Sequence, residues 1–156
     1  MEPEIFLETD EFASVLTDIG KTVSDDFTED ETQMVFLNEG YFHHLGYDRI
    51  GKDLKSEISV GNRRVDYITT GHGDTIRDTK TTVYEFKKPK RILDKDEHLE
   101  QLFECMDNTG AQFGVLTNGQ KFKQYEQTPT RPDKRLDFDL KSATGSEASA
   151  IIMSLG

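Results

Sequence analysis

Residues 83–89 read Val83-Tyr84-Glu85-Phe86-Lys87-Lys88-Pro89, and they sit in a run from Thr81 to Lys88 that predicts a β-strand. Pro89 stops it, because proline has no N–H to give to a ladder. Side chains two apart on a strand share a face, so Glu85 and Lys87 project together while Tyr84 and Phe86 turn the other way, into apolar packing. Downstream the period becomes helical. Leu99, Leu102, Phe103 and Met106 fall on one face of a helix predicted over 94–108, with Gly110 as its stop. Phe113 to Thr117 is a short apolar strand, Asn118-Gly119 signals a two-residue hairpin turn, and Lys121 to Gln127 pairs back.

Upstream, Arg63 to Thr70 is a strand paired through Gly61-Asn62 with Glu57 to Val60, and residues 71–80 form a polar turn leading into the Thr81 strand. Phe12, Val15, Leu16 and Ile19 recur at i, i+3, i+4 and i+7, which predicts an amphipathic helix over 10–19 ending at Gly20. Met34, Leu37, Tyr41 and Leu45 form the stripe of a second helix over 30–45, weakened at Gly40 by about 1 kcal/mol relative to alanine. A strand over Leu136 to Leu140 and a helix over Glu147 to Leu155 close the chain. The expected fold is α/β: a mixed central sheet of four or five strands with helices on both faces. At 156 residues one domain is expected, with an acidic helical extension over 1–29, a core over 30–127 and a strand and helix over 128–156.

The formal charge of −11 is unevenly spread. Residues 1–60 hold 4 of the 19 Lys and Arg against 15 of the 30 Asp and Glu, which leaves 15 of each sign in residues 61–156. Lys80, Lys87, Lys88, Lys90 and Arg91 gather there around one acid, Glu85. Such a patch can hold phosphates on an acidic molecule, although a basic run by itself is more often a solvated face. The acidic N-terminus lacks the layout of a secretory signal, and no apolar stretch approaches membrane-spanning length. Cys105, the sole cysteine, excludes an internal disulfide and any multi-cysteine zinc site, and the simplest compartment is a reducing cytoplasm.

The chemistry centres on Asp66, Glu85 and Lys87. If the strands flanking the 71–80 turn pair, Asp66 can lie opposite Glu85. Two carboxylates that close repel each other, and a divalent cation relieves the repulsion. Magnesium takes hard oxygen ligands and accepts waters and phosphate oxygens in its shell. A neighbouring ammonium can orient an attacking water or stabilise charge on the phosphate. These are the parts needed to hydrolyse a phosphodiester. The ordinary alternative is an exposed strand on which Glu85 and Lys87 form a weak ion pair, since a Glu-x-Lys triplet is common.

The stretch from Glu31 to Glu126 resembles the PD-(D/E)xK nuclease core, in particular the N-terminal nuclease domain of type I restriction endonuclease subunits. The similar pieces are HHLGYD (43–48), GNRRVDYIT (61–69), VYEFKKP (83–89) and LEQLFECMDNTGAQFGVLTNGQKFKQYE (99–126), about two thirds of the chain. The resemblance implies a restriction-endonuclease-like core and a DNA endonuclease using Mg2+, with Mn2+ as substitute. Asp66 and Glu85 would ligate the metal, with the Phe86 carbonyl as a third protein ligand, and Lys87 would position or activate water. Gln101 would face the site from the following helix, and an early-helix acid would complete it, Glu31 or its rival Glu39. Val65 stands where the motif's name has proline, a departure frequent in this subgroup. The expected partners are DNA and other domains or subunits of a restriction complex. Arg63, Arg64, Lys88 and Lys90 are candidate contacts to nucleic acid, and Lys121 and Lys123 serve either a nucleic acid backbone or a solvent face.

Other signals carry less. Residues 46–53 nearly spell a phosphate-binding loop, but they end in Asp53 where Ser or Thr belongs and follow a helix rather than a strand. His43, His44 and His72 have no metal-ligand spacing, and Cys105 reads as a core or boundary residue. Two rival functions stay open: a catalytically silent nucleic-acid-binding or assembly module, and a small acidic interaction protein mimicking DNA.

Overall fold

A computed structural model describes residues 3–47, 54–60, 63–70, 81–91, 93 and 95–156. Among these, six strands form one mixed sheet, ordered as they occur along the chain. They are β1 (Leu54–Val60), β2 (Arg63–Thr69), β3 (Thr82–Phe86), β4 (Phe113–Thr117), β5 (Lys121–Glu126) and β6 (Asp133–Asp139). Only β3 and β4 are parallel, and α4 (Asp96–Thr109) makes the crossover that a parallel pair requires. The sheet exceeds the expected four or five strands. β6, longer than the predicted 136–140 segment, is an edge strand exposed at most positions, so it carries little apolar alternation to read.

Helices cover both faces. α4 packs Leu102, Cys105 and Met106 against Val83 and Leu116 on one side. On the other lie α1 (Pro3–Thr22), α2 (Glu29–Asn38), α3 (Tyr41–His44) and α5 (Gly145–Leu155), with Phe12, Phe36, Tyr41 and Ile151 in one cluster with Tyr84, Phe86 and Phe122. The helix expected over 30–45 is two. Gly40 takes φ +84°, which a right-handed helix cannot continue, and the break lets both Tyr41 and Phe42 enter the core. Thr28 with Glu31 and Thr144 with Glu147 form capping boxes that start α2 and α5. The Tyr41 and Tyr84 hydroxyls meet at 3.0 Å inside this core, where burial pushes both phenols well above their ordinary range and keeps them neutral.

The β4–β5 hairpin turns one residue later than the sequence suggests. Asn118 N–H donates to Lys121 O, so Gly119 and Gln120 are the central pair, and the positive φ falls on Gly119 (+82°). Glycine takes that angle at no steric cost. Asn118 instead braces the turn: its Oδ1 accepts from the N–H of Gln120 and of Lys121. A methyl group on Gly119 would lie 2.8 Å from Val23 and Thr32 carbons, because the turn packs into the α1–α2 junction. Gly119→Ala is therefore expected to destabilise the fold by roughly 2–4 kcal/mol, combining φ strain and overpacking. Urea unfolding followed by circular dichroism would measure it; an unchanged midpoint would contradict this packing.

No helix among the described residues is long and apolar enough to cross a membrane. The predicted Gly61-Asn62 turn, the 71–80 turn with His72 and Lys80, and most of the phosphate-loop-like 46–53 segment lie outside the described residues.

Candidate active site

β2 and β3 run antiparallel with Tyr67 opposite Tyr84, Ile68 opposite Val83 and Thr69 opposite Thr82. The ladder ends at Tyr67–Tyr84, and Asp66 and Glu85 are the next residues along each strand. There the Phe86 N–H donates to Asp66 Oδ2 at 2.7 Å, while the next N–H, of Lys87, donates to Thr117 O of β4 at 2.9 Å. The Glu85-Phe86-Lys87 segment is thus held from both neighbouring strands. A strand residue's carbonyl points to the same neighbour as its N–H, so the Phe86 carbonyl lies on the Asp66 side. The Phe86 ring, fully buried, packs edge-on against Phe36 (5.0 Å) and Tyr67 (5.8 Å) on the opposite face from α4. That anchorage, with the strand's alternation, turns Glu85 and Lys87 toward the α4 side.

Glu85 is only 7% exposed, and Asp66 and Lys87 are half-buried. Lys87 Nζ donates to Gln101 Oε1 of α4 at 3.4 Å. Lys87 and Gln101 line a cleft of about 260 Å³ together with Lys88 and Arg91. It opens at the carboxyl end of β3, where open α/β sheets place their ligands. Asp66 and Glu85 are not among its lining residues. The Asp66 carboxylate is drawn sideways to the β3 backbone, and Glu85 sits below the surface. The structure therefore joins Lys87, Lys88 and Gln101 in one cavity, while Asp66 and Glu85 follow the last β2–β3 pair and lie outside its lining.

The helix acids separate. Glu31 Oε1 accepts from Thr28 N–H at 3.0 Å as part of the capping box, and Glu39 is the C-cap of α2. The α2 acid that lines the cleft is Glu29. Among the tentative nucleic-acid contacts, Arg64 is exposed and Lys90 pairs with Asp25 at 3.1 Å, while the Arg63 side chain lies outside the described residues. Glu97 and His98 also line the cleft and were not singled out from sequence. A signal existed for both: they lie four and three residues before Gln101 on α4, and so share its face. Glu29 had none, since only tertiary packing brings the start of α2 to the end of β3.

No family model, curated protein or solved structure matches this chain. What the site can hold is thus read from its own chemistry. Among the described residues no three His, Cys, Asp or Glu side chains gather as a metal cage. Asp66, Glu85 and the Phe86 carbonyl instead offer hard oxygen donors, and Cys105 is buried in the α4 core. That set fits Mg2+, which is commonly held by one or two carboxylates and completed by water and substrate oxygens, and it lacks the nitrogen and sulfur donors of a structural zinc site.

Proposed function

We infer that the protein is a Mg2+-dependent DNA endonuclease with a PD-(D/E)xK-type, restriction-endonuclease-like core, acting in the cytoplasm in defence against foreign DNA. The observation that carries this reading is the 2.7 Å bond from the Phe86 N–H to Asp66 Oδ2, which ties Asp66 to the Glu85-Phe86-Lys87 segment just past the last β2–β3 pair. Asp66, Glu85 and the Phe86 carbonyl would hold Mg2+ (or Mn2+ in its place), and the bound metal supplies charge stabilisation on the phosphate. Lys87, steadied by the Gln101 amide oxygen, holds the attacking water by its ammonium. Lys88 and Arg91 neutralise the backbone phosphate in the cleft. By the same resemblance, other domains or subunits of a restriction complex are its partners.

Incubating supercoiled plasmid with the protein tests this directly. Nicking in Mg2+ or Mn2+ and none in EDTA is expected; no nicking with either metal overturns it. A catalytically silent binding module is the second reading, favoured by the Asp66 oxygen already engaged with the Phe86 N–H. It predicts DNA binding that neither metal converts to cleavage.

The two acids of α2 then have different roles. Glu31→Ala removes half of the capping box and is expected to lower stability by about 0.5–1 kcal/mol with little change in nicking. Glu29→Ala leaves that cap intact and alters the cleft, so nicking changes while the melting temperature does not. Nicking assays and thermal melts on both variants check this, and the reverse pattern would restore Glu31 as the site's helix acid.

A further inference from the structure

Two rows of side chains cross the α4 side of the sheet at its active end. In the first, Glu85 is in register with Leu116, Leu116 with Lys123, and Lys123 with Asp137. In the second, Lys87 is followed by Asn118, Lys121 and Asp139, with Lys121 and Asp139 in register. The second row ends in a separate cleft of about 350 Å³ whose cations are Lys90, Arg91, Lys121 and Lys123, and whose one lining acid is Asp139. Arg91 lines this cleft and the Lys87 cleft alike, so the two adjoin.

We propose that this second cleft is a phosphate subsite that grips the nucleic acid strand beside the bond held at Lys87. It takes its ligand class from the nuclease reading and so rests on it. Three observations support it. Arg91, an exposed residue, lines the cleft and brings a guanidinium that can take a phosphate through two parallel N–H bonds. Lys90 and Lys121 pair with Asp25 and Asp139 at 3.1 and 3.8 Å, but all four side chains are more than half exposed, and such pairs yield readily to a phosphate. Lys123, 3% exposed and 3.6 Å from Asp137, forms a fixed floor.

The local backbone is built to hold Arg91 there. Lys90 takes φ +67°, the one positive φ on a residue other than glycine among the described residues. Its N–H donates to Gln120 Oε1 at 2.9 Å, and Asn118 Nδ2 donates to Arg91 O at 3.0 Å. Strain kept in place by two side-chain bonds from the hairpin is a pattern of functional sites. Glu85 and Lys123 are two strands apart, roughly 10 Å at the usual strand separation, so one nucleic acid strand can enter both clefts.

The test is binding of a labelled single-stranded 12-nucleotide DNA to the intact chain in EDTA, by fluorescence anisotropy from 50 to 300 mM salt. Lys121→Gln, which touches the second cleft alone, is expected to weaken binding about three- to tenfold and to reduce the slope of log K against log salt by about 0.7, and Arg91→Gln, which touches both clefts, at least as much. Lys21→Gln, on α1, controls for the lost charge alone. A Lys121→Gln slope equal to that of Lys21→Gln, or no binding by wild type, overturns the subsite. The plasmid assay separates this from the nuclease reading: nicking with unchanged slopes sinks only the subsite, and reduced slopes without nicking sink only the nuclease.

Discussion

Lys87→Ala is expected to lower plasmid nicking by about a hundred- to a thousand-fold while leaving the fold intact. The magnitude is that of removing one preorganised group aimed at developing charge. The fold survives because Lys87 is half-buried and its side-chain bond is to Gln101 at 3.4 Å, with no apolar packing at stake. The strand is secured by its neighbours: Phe86 in the aromatic core and the Lys87 main chain on Thr117. Single-turnover nicking rates beside a thermal melt measure both parts. A variant that nicks like wild type would remove Lys87 from the chemistry, and one that fails to fold would mean that the cleft is structural.

The second large effect is at Asp66, where two exchanges divide structure from chemistry. Asp66→Ala leaves the Phe86 N–H without its acceptor at the end of the β2–β3 ladder, which is expected to cost about 1–3 kcal/mol. It also removes one of the two carboxylates, so metal-dependent nicking is lost. Asp66→Asn keeps a side-chain oxygen for the same N–H and should recover most of the stability, yet it lacks the negative charge a hard cation needs. Nicking therefore stays lost in both variants while stability returns in one. Urea unfolding and nicking on the pair check this. Equal stability of both variants would mean that the 2.7 Å bond contributes little, and nicking by Asp66→Asn would mean that the carboxylate is no metal ligand.

Most of the frame is legible in the sequence because its periods are strong. The β3 alternation, the α4 stripe ending at Gly110 and the β4 segment 113–117 match the structure closely. What escaped depends on single backbone angles or on tertiary neighbours. Gly40 is tolerable inside a helix by propensity, but its φ of +84° splits α2 from α3, and only the core space for Tyr41 and Phe42 decides that. Asn118-Gly119 announces a turn without fixing which pair is central. Asn118 lies outside it because its side chain already accepts two main-chain N–H groups. At the site, strand alternation pairs Glu85 with Lys87, and a side-chain bond ties Asp66 to the Phe86 N–H. Nothing local tells that Glu31 caps α2 while Glu29 reaches the cleft, nor that the 88–91 turn and the β4–β5 hairpin share a second cavity.

Crystals of the protein soaked in Mn2+ and measured for anomalous scattering give the most direct trial of a cation lodged between β2 and β3. One peak within coordination distance of carboxylate oxygens from both Asp66 and Glu85, beside the Phe86 carbonyl, is the predicted result. Manganese bound elsewhere, or no peak while the Asp66 carboxylate keeps its bond to the Phe86 N–H, would contradict it.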